Sequence, residues 1–272
     1  MKAPKFADHD DTEIAENTTL RSDQVFEILR RDGEEEMQRP ASSLAFSGLA
    51  AGLAIGFSVI AEAVIQSRLP DTGWGEMVAD MGYTVGFLLI ILGKLQLFTE
   101  NTMTPVMPIC HAPTKRNVGR LARIWSIVFA SNMVGTVLFA ICVMKTGFVG
   151  DDVAREVLAL GRHAAHGGFV DTVVRGVGAG FLIAVLVWIL ADSANNRVLV
   201  VFLVTYVIAM CGFAHVVAGG VEMAALVIAG ERSLSSVLIG FMVPALIGNI
   251  LGGTLLFGTL AYAQIKNELV HR

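Results

Sequence analysis

His215 sits in the stretch GFAHVVAGG (212–220), an imidazole set in a long apolar run beside three glycines. A free histidine titrates at about pH 6.5, and its surroundings can move that value either way. A bare anion at the centre of a bilayer pays a large desolvation penalty. A histidine placed there can give the anion a hydrogen bond or a proton. A second polar cluster interrupts another apolar run, LGKLQLFTENTMTPVMP (92–108), with Thr99, Glu100, Asn101, Thr102 and Pro105 at its centre and Lys94 near its start. Lys94 either draws anions toward a path or snorkels to an interface and pairs with Glu100. Asn132 and Asn249, deep in two further apolar runs, either expose their amides to a substrate or bridge helices by hydrogen bonds.

The elements that must position these residues are hydrophobic helices. The chain of 272 residues is 54% hydrophobic and 16% charged, against about 25% charged in an average soluble domain, which points to a membrane protein. Six apolar blocks, at 44–66, 77–109, 121–144, 169–191, 198–229 and 233–262, reach the length of about 20 residues that a helix needs to cross a bilayer. They divide the chain into a polar leader (1–43), a membrane domain (44–262) and a short tail (263–272). The leader carries no apolar run of the signal-peptide kind, and its segment 22–29 suits a short amphipathic helix on the membrane surface. The 111–123 loop holds Lys115, Arg116, Arg120 and Arg123 and no acid. By the positive-inside rule this places both termini in the cytoplasm.

Blocks two and five are too long for one crossing, and each is interrupted by polar or helix-weakening residues. Irregular backbone at membrane depth is tolerated only inside protein or along a water-filled cavity, so both read as broken helices. Block three contains SNMVGTVLF (131–139) and block six GNILGGTLLF (248–257), so that Asn132 and Gly135 answer Asn249 and Gly252. The pattern predicts two inverted triplets of spans whose broken members meet near the midplane, where a substrate path is expected. Gly48, Gly52 and Gly56 lie four apart on one face of the first span, suited to close helix packing or a subunit contact.

LQLFTEN, GFAHVVAG and PALIGNILGG, together with Trp188 and the Asn-x-x-Gly of block three, resemble the signatures of the formate/nitrite transporter family across residues 40–262. The leader's GEEEMQRP and the variant LFTENTMTP resemble its YfdC-like inner-membrane branch. The resemblance implies an all-α, aquaporin-like protomer of six transmembrane helices, assembled as a homopentamer in a bacterial-type inner membrane with one pore per subunit. It implies transport of small monovalent anions such as formate, nitrite, hydrosulfide or short monocarboxylates. On the same resemblance His215 is the central histidine, Thr99 the threonine that pairs with it and orients its ring, Leu97 a hydrophobic constriction, and Phe213 a further pore residue. Half-helix N-termini at the two breaks would add positive partial charge for the anion.

Three positions depart from the family pattern: Ala214 where an acid is usual, Glu100 where a small residue is usual, and the apolar run GFLIAVLVW (180–188) where a small or amide residue is common. Glu100 either replaces the acid missing at 214, holding His215 charged, or caps a half-helix. These departures keep open a pore for a neutral or cationic solute. An intramembrane enzyme using His215 as base lacks a nucleophile motif. His111, His163 and His166, placed in loops, lack metal-ligand spacing, and the three cysteines lie at unrelated spacings. The expected partners are therefore a small anion, protons and the bilayer, with no cofactor, metal or nucleic acid.

Overall fold

The computed structural model describes residues 20–70, 72–192 and 196–270, and it is all-helical. Leader residues 1–19 and the last two residues of the tail lie outside the described residues. Helix α1 (Ser22–Glu36) precedes α2 (Ala41–Ala54) and α3 (Gly56–Gln66), which form one span, Ala41–Gln66, offset at Ile55. There follow α4 (Gly73–Leu92), two 3₁₀ turns (Glu100–Thr102 and Thr104–Val106), α5 (Met107–His111), α6 (Lys115–Lys145), α7 (Asp151–Ala164), α8 (Phe169–Asp192), α9 (Arg197–Met210) and α10 (Val216–Ile228). The last apolar stretch runs through α11 (Leu234–Val237), α12 (Val243–Ile250) and α13 (Thr259–Val270), with π-helical turns between them at Leu238–Met242 and Leu251–Gly258. Five helices among the described residues are long and apolar enough to cross a membrane, and the fifth block is divided into the shorter α9 and α10.

The small residues explain which helices touch. A Cβ on Gly52 would collide with the Asn132 carbonyl, and one on Gly180 would collide with the Asn249 carbonyl. The backbones of α2 and α6, and of α8 and α12, can approach this closely only without side chains between them. The glycine stripe of the first span therefore packs within the protomer. Helix α1 is amphipathic. It buries Val25, Phe26 and Leu29 in a satellite cluster with Met103, Val106, Met107, Ala261 and Ile265, while Arg30 pairs with Glu27 and Glu34 on its polar side.

Two sequence expectations need correction. Residues 151–164 read as loop but form α7, because Val153, Val157 and Gly161 recur every four residues and make one buried face. Asp151 and Asp152 in its first turn and Arg162 and His163 in its last complement the helix dipole. His163 thus lies on a helix. The continuation of block two is also no regular half-helix. Pro105 and Pro108 lack backbone N–H donors, and the segment runs as 3₁₀ turns before the five-residue α5. Of the two expected half-helix N-termini, only that of α10 heads a regular helix.

Candidate functional site: two breaks and the imidazole between them

The two helix breaks are closed by the same hydrogen bonds. After α4 the chain turns through Lys94 at φ 53°, and after α9 through Gly212 at φ 60°; this left-handed region suits glycine and costs a side chain strain. The next N–H in each case reaches five residues back, Leu95 to Ile90 (3.0 Å) and Phe213 to Ile208 (3.0 Å). Three residues on, Phe98 N–H donates to Asn132 Oδ1 (2.9 Å) and Val216 N–H to Asn249 Oδ1 (2.9 Å). Asn132 Nδ2 then donates to the carbonyls of Gly48 (2.7 Å) and Gln96 (2.9 Å), and Asn249 Nδ2 to those of Gly176 (2.9 Å) and Ala214 (2.8 Å). Each amide spends both donors and its acceptor on backbone that a broken helix leaves without partners. Both asparagines are fully buried and bridge helices rather than presenting free amides.

In this matching, Leu97 on the first break corresponds to His215 on the second. Leu97 is fully buried. His215, 2% exposed, caps α10: its Nδ1 accepts the Ala218 N–H at 3.1 Å. Its Nε2 lies 2.7 Å from Thr99 Oγ1, and the ring meets Phe87 edge-on at 5.0 Å. The cap decides the tautomer. A nitrogen that accepts a backbone N–H carries no proton, so the neutral ring holds its proton on Nε2 and donates it to Thr99 Oγ1. The threonine hydroxyl then keeps its own hydrogen for another acceptor. Adding a proton to the ring would break the cap.

Two cavities approach this pair from different elements. One, of about 80 Å³, is lined by His215, Phe213, Tyr83, Glu62, Glu222, His163 and Arg175 among others. The other, of about 590 Å³, lies against α1 and is lined by Asp32, Glu35, Glu36, Arg39, Lys94, Gln96, Glu100 and Arg197 among others. Helix α1 is tied to the first break here, because Gln96 Nε2 donates to Glu36 Oε1 (3.0 Å) and Asn101 Nδ2 to Gln96 Oε1 (3.0 Å). Thr254, in the second π-helical turn, donates to the Thr102 carbonyl at 2.6 Å and fixes the other side of the same break.

Thr99, Leu97, Phe213 and His215 are thus gathered at one place, with Phe213 seated over Gly178. Glu100 and Lys94 open instead to the larger cavity, where Glu100 is within electrostatic reach of Arg197 and Glu36. Glu100 does not line the His215 chamber, so the reading in which it stands in for the acid missing at 214 is not carried by this geometry. The carboxylates that do line that chamber, Glu62 and Glu222, look in sequence like acids at span ends. A signal was available: Glu222 falls seven residues after His215, on the same face of one helix.

Apolar spans, two interrupted helices whose breaks meet around a buried polar pair, one cavity lined by its imidazole and another against the first break define a membrane transport protein rather than an enzyme. Residues 23–263 match the family described as Formate/nitrite transporter, and the chain belongs to that family. It is 34% identical over 248 residues to "Inner membrane protein YfdC" of Escherichia coli (strain K12), covering 91% of this chain and 80% of that protein. Its fold is similar to that of a solved "Pentameric formate channel with formate bound", with a TM-score of 0.71 at 18% identity over 83% of this chain and 98% of that one. A solved "FNT family ion channel" gives a TM-score of 0.70 at 19% identity, over 89% and 96%.

Proposed function

We propose that the chain is a pore for small monovalent anions, formate among them, with one path through each protomer of a homopentamer. It would cross a bacterial inner membrane six times as two inverted triplets, with both termini in the cytoplasm. The family membership and the pentameric formate channel that shares its fold support this reading. So do the matched hydrogen bonds of the two breaks. The observation that carries it is the His215 Nε2 to Thr99 Oγ1 contact of 2.7 Å beneath a Nδ1 held by the α10 cap. An anion leaving the larger cavity passes Leu97, meets the Thr99 hydroxyl hydrogen, and sits near the positive end of α10. Leu97 and Phe213 keep the passage dry, so a hydrated ion fails while an anion that is hydrogen-bonded or protonated on the way goes through.

A second reading, a pore for a neutral or cationic solute, is favoured by the carboxylates of Glu62 and Glu222 in the smaller chamber. Flux of labelled formate against labelled glycerol in proteoliposomes separates the two. In the same assay His215→Asn, which keeps a side-chain acceptor for the α10 cap, should flatten the dependence of formate flux on pH. A profile identical to that of the unmodified protein would sink the role given to the imidazole.

A further inference from the structure

The smaller chamber holds more unanswered negative charge than an anion path by itself explains. Glu62 on α3 and Glu222 on α10 are 8% and 7% exposed, and both line the chamber beside His215. Among the described residues no hydrogen bond or ion pair reaches either carboxylate, and their charges act directly on each other. Tyr83 on α4, 7% exposed, turns into the same chamber with a phenol that is likewise unpartnered, and it feels both carboxylates.

The cations nearby are already committed. Arg175 on α8 donates to the carbonyls of Gly212, Ala164 and His166 and pairs with Asp171 at 3.1 Å. Arg162 on α7 pairs with Glu231 at 2.8 Å. The other titratable groups facing the pair are Asp80 on α4, with Glu76 one turn before it, and His163 on α7, which acts on Asp80. Two like charges lining one chamber and largely withdrawn from solvent are costly unless a counter-charge enters with them. The cavity of about 80 Å³ has room for two or three groups the size of a water, whose share of liquid is about 30 Å³. The oxygens of two carboxylates and a phenol lining one chamber are hard donors, suited to a proton or a small alkali cation rather than a soft metal.

We propose that Glu62, Glu222 and Tyr83 form a cation-coupling site that takes up one monovalent cation, a proton or an alkali-metal ion, and carries it with the anion that meets His215. The proposal rests on the anion-pore reading for its coupling and on the chamber alone for its binding. Coupled in this way, the charge of the anion is cancelled beside the constriction, and the two acids favour anion passage instead of opposing it.

The test separates the two dependences. The full-length protein, solubilised as its native oligomer, is examined without any transported anion by equilibrium dialysis with ²²Na⁺ and by infrared spectroscopy for a carboxylic-acid C=O band that shifts in D₂O. Glu62→Gln, Glu222→Gln and their double variant are compared, with Glu100→Gln as a control for an acid of the larger cavity. The expected result is either bound sodium or an acid band, other than the part removed by Glu100→Gln, that falls in each single variant and disappears in the double one, the oligomer being retained by size-exclusion chromatography. A protein that binds no sodium, and whose acid band is absent or unchanged in the double variant, overturns the site. Tyr83→Phe leaves both carboxylates in place and should weaken the sodium or shift the band without removing it, so the site stays testable if a glutamine variant fails to fold. In proteoliposomes, an imposed proton or sodium gradient should drive formate uptake at least tenfold less in the double variant. Formate flux indifferent to both gradients overturns the coupling, whereas no formate flux in any variant counts against the anion reading and leaves the binding result standing.

Discussion

At the residue scale the proposed path turns on one hydroxyl. Thr99 Oγ1 has His215 Nε2 as its side-chain partner at 2.7 Å, and the Thr99 carbonyl is taken by Thr102 Oγ1 at 2.7 Å. Thr99→Val keeps the shape but leaves the imidazole N–H buried without an acceptor, which costs about 1–3 kcal/mol. The ring then tilts to find another acceptor, and the hydrogen that greets the anion is lost. Formate flux should fall about ten- to hundredfold, since about 1.4 kcal/mol is a factor of ten. Thr99→Ser, which restores the hydroxyl, should recover most of it; a serine variant as slow as the valine one would mean that the methyl group, not the hydroxyl, matters. His215 and Thr99 were both legible in the sequence, because a polar group in a membrane-depth interruption has few structural uses. The tautomer was not legible. It follows from the start of α10 falling at residue 216, a boundary that the apolar pattern around it does not mark.

At the element scale each break is a backbone problem solved by one asparagine. Asn249→Leu would strand the Val216 N–H and the Gly176 and Ala214 carbonyls, which Asn249 joins at 2.8–2.9 Å. At about 1–2 kcal/mol for each stranded group the sum is roughly 3–6 kcal/mol, a large share of a typical stability. Asn132→Leu should cost a similar amount, because it makes the same three bonds. Thermal unfolding of the purified variants checks this: two large, comparable losses are expected, and a small loss for either would show that its break is held by other contacts. The sequence repeat around both asparagines foretold that they correspond, but their bonds depend on glycine contacts between α2 and α6 and between α8 and α12 that no local pattern encodes. Helix α7 was missed for the related reason that a short amphipathic helix has too little apolar length to register as a span. Helix α1 docks through the buried face of Val25, Phe26 and Leu29, and the charges on its polar side add a pH-dependent part. Hydrogen bonds from Arg30 above all, and then from Arg31, hold the Glu27 carboxyl down at about 2 against an ordinary 4.5. A depressed carboxyl stabilises the folded state above its unfolded value, and that contribution is lost as the pH falls through its folded one. The protection of amides in Ser22–Glu36, taken relative to the intrinsic exchange rate at each pH, should therefore fall progressively from about pH 4.5 toward pH 2, an acid response that Glu27→Gln removes.

At the scale of the whole molecule the question is where the path runs in an assembly. In the proposed reading the path lies within one protomer, from Leu97 and Thr99 on one break to Phe213 and His215 on the other, joined by the 2.7 Å contact of Thr99 with His215. The outward faces of the helices are apolar and exposed, Phe46, Val134, Val170 and Ile239 among them at 74%, 54%, 73% and 67%. Such surface is suited to lipid and to neighbouring subunits, and the proposed pore assigns transport to the protomer interior instead. If the subunits conduct independently, a pentamer containing some inactive protomers should carry flux in proportion to the active share. Pentamers formed by co-expressing the unmodified chain with Thr99→Val in graded ratios should then lose formate flux linearly with the variant fraction. A path at the central axis would require all five copies to contribute, and flux would instead collapse steeply once each pentamer holds one altered subunit. Linear loss supports a pore built by two helix breaks within one chain, and a steep collapse would move the pathway to the interface between subunits.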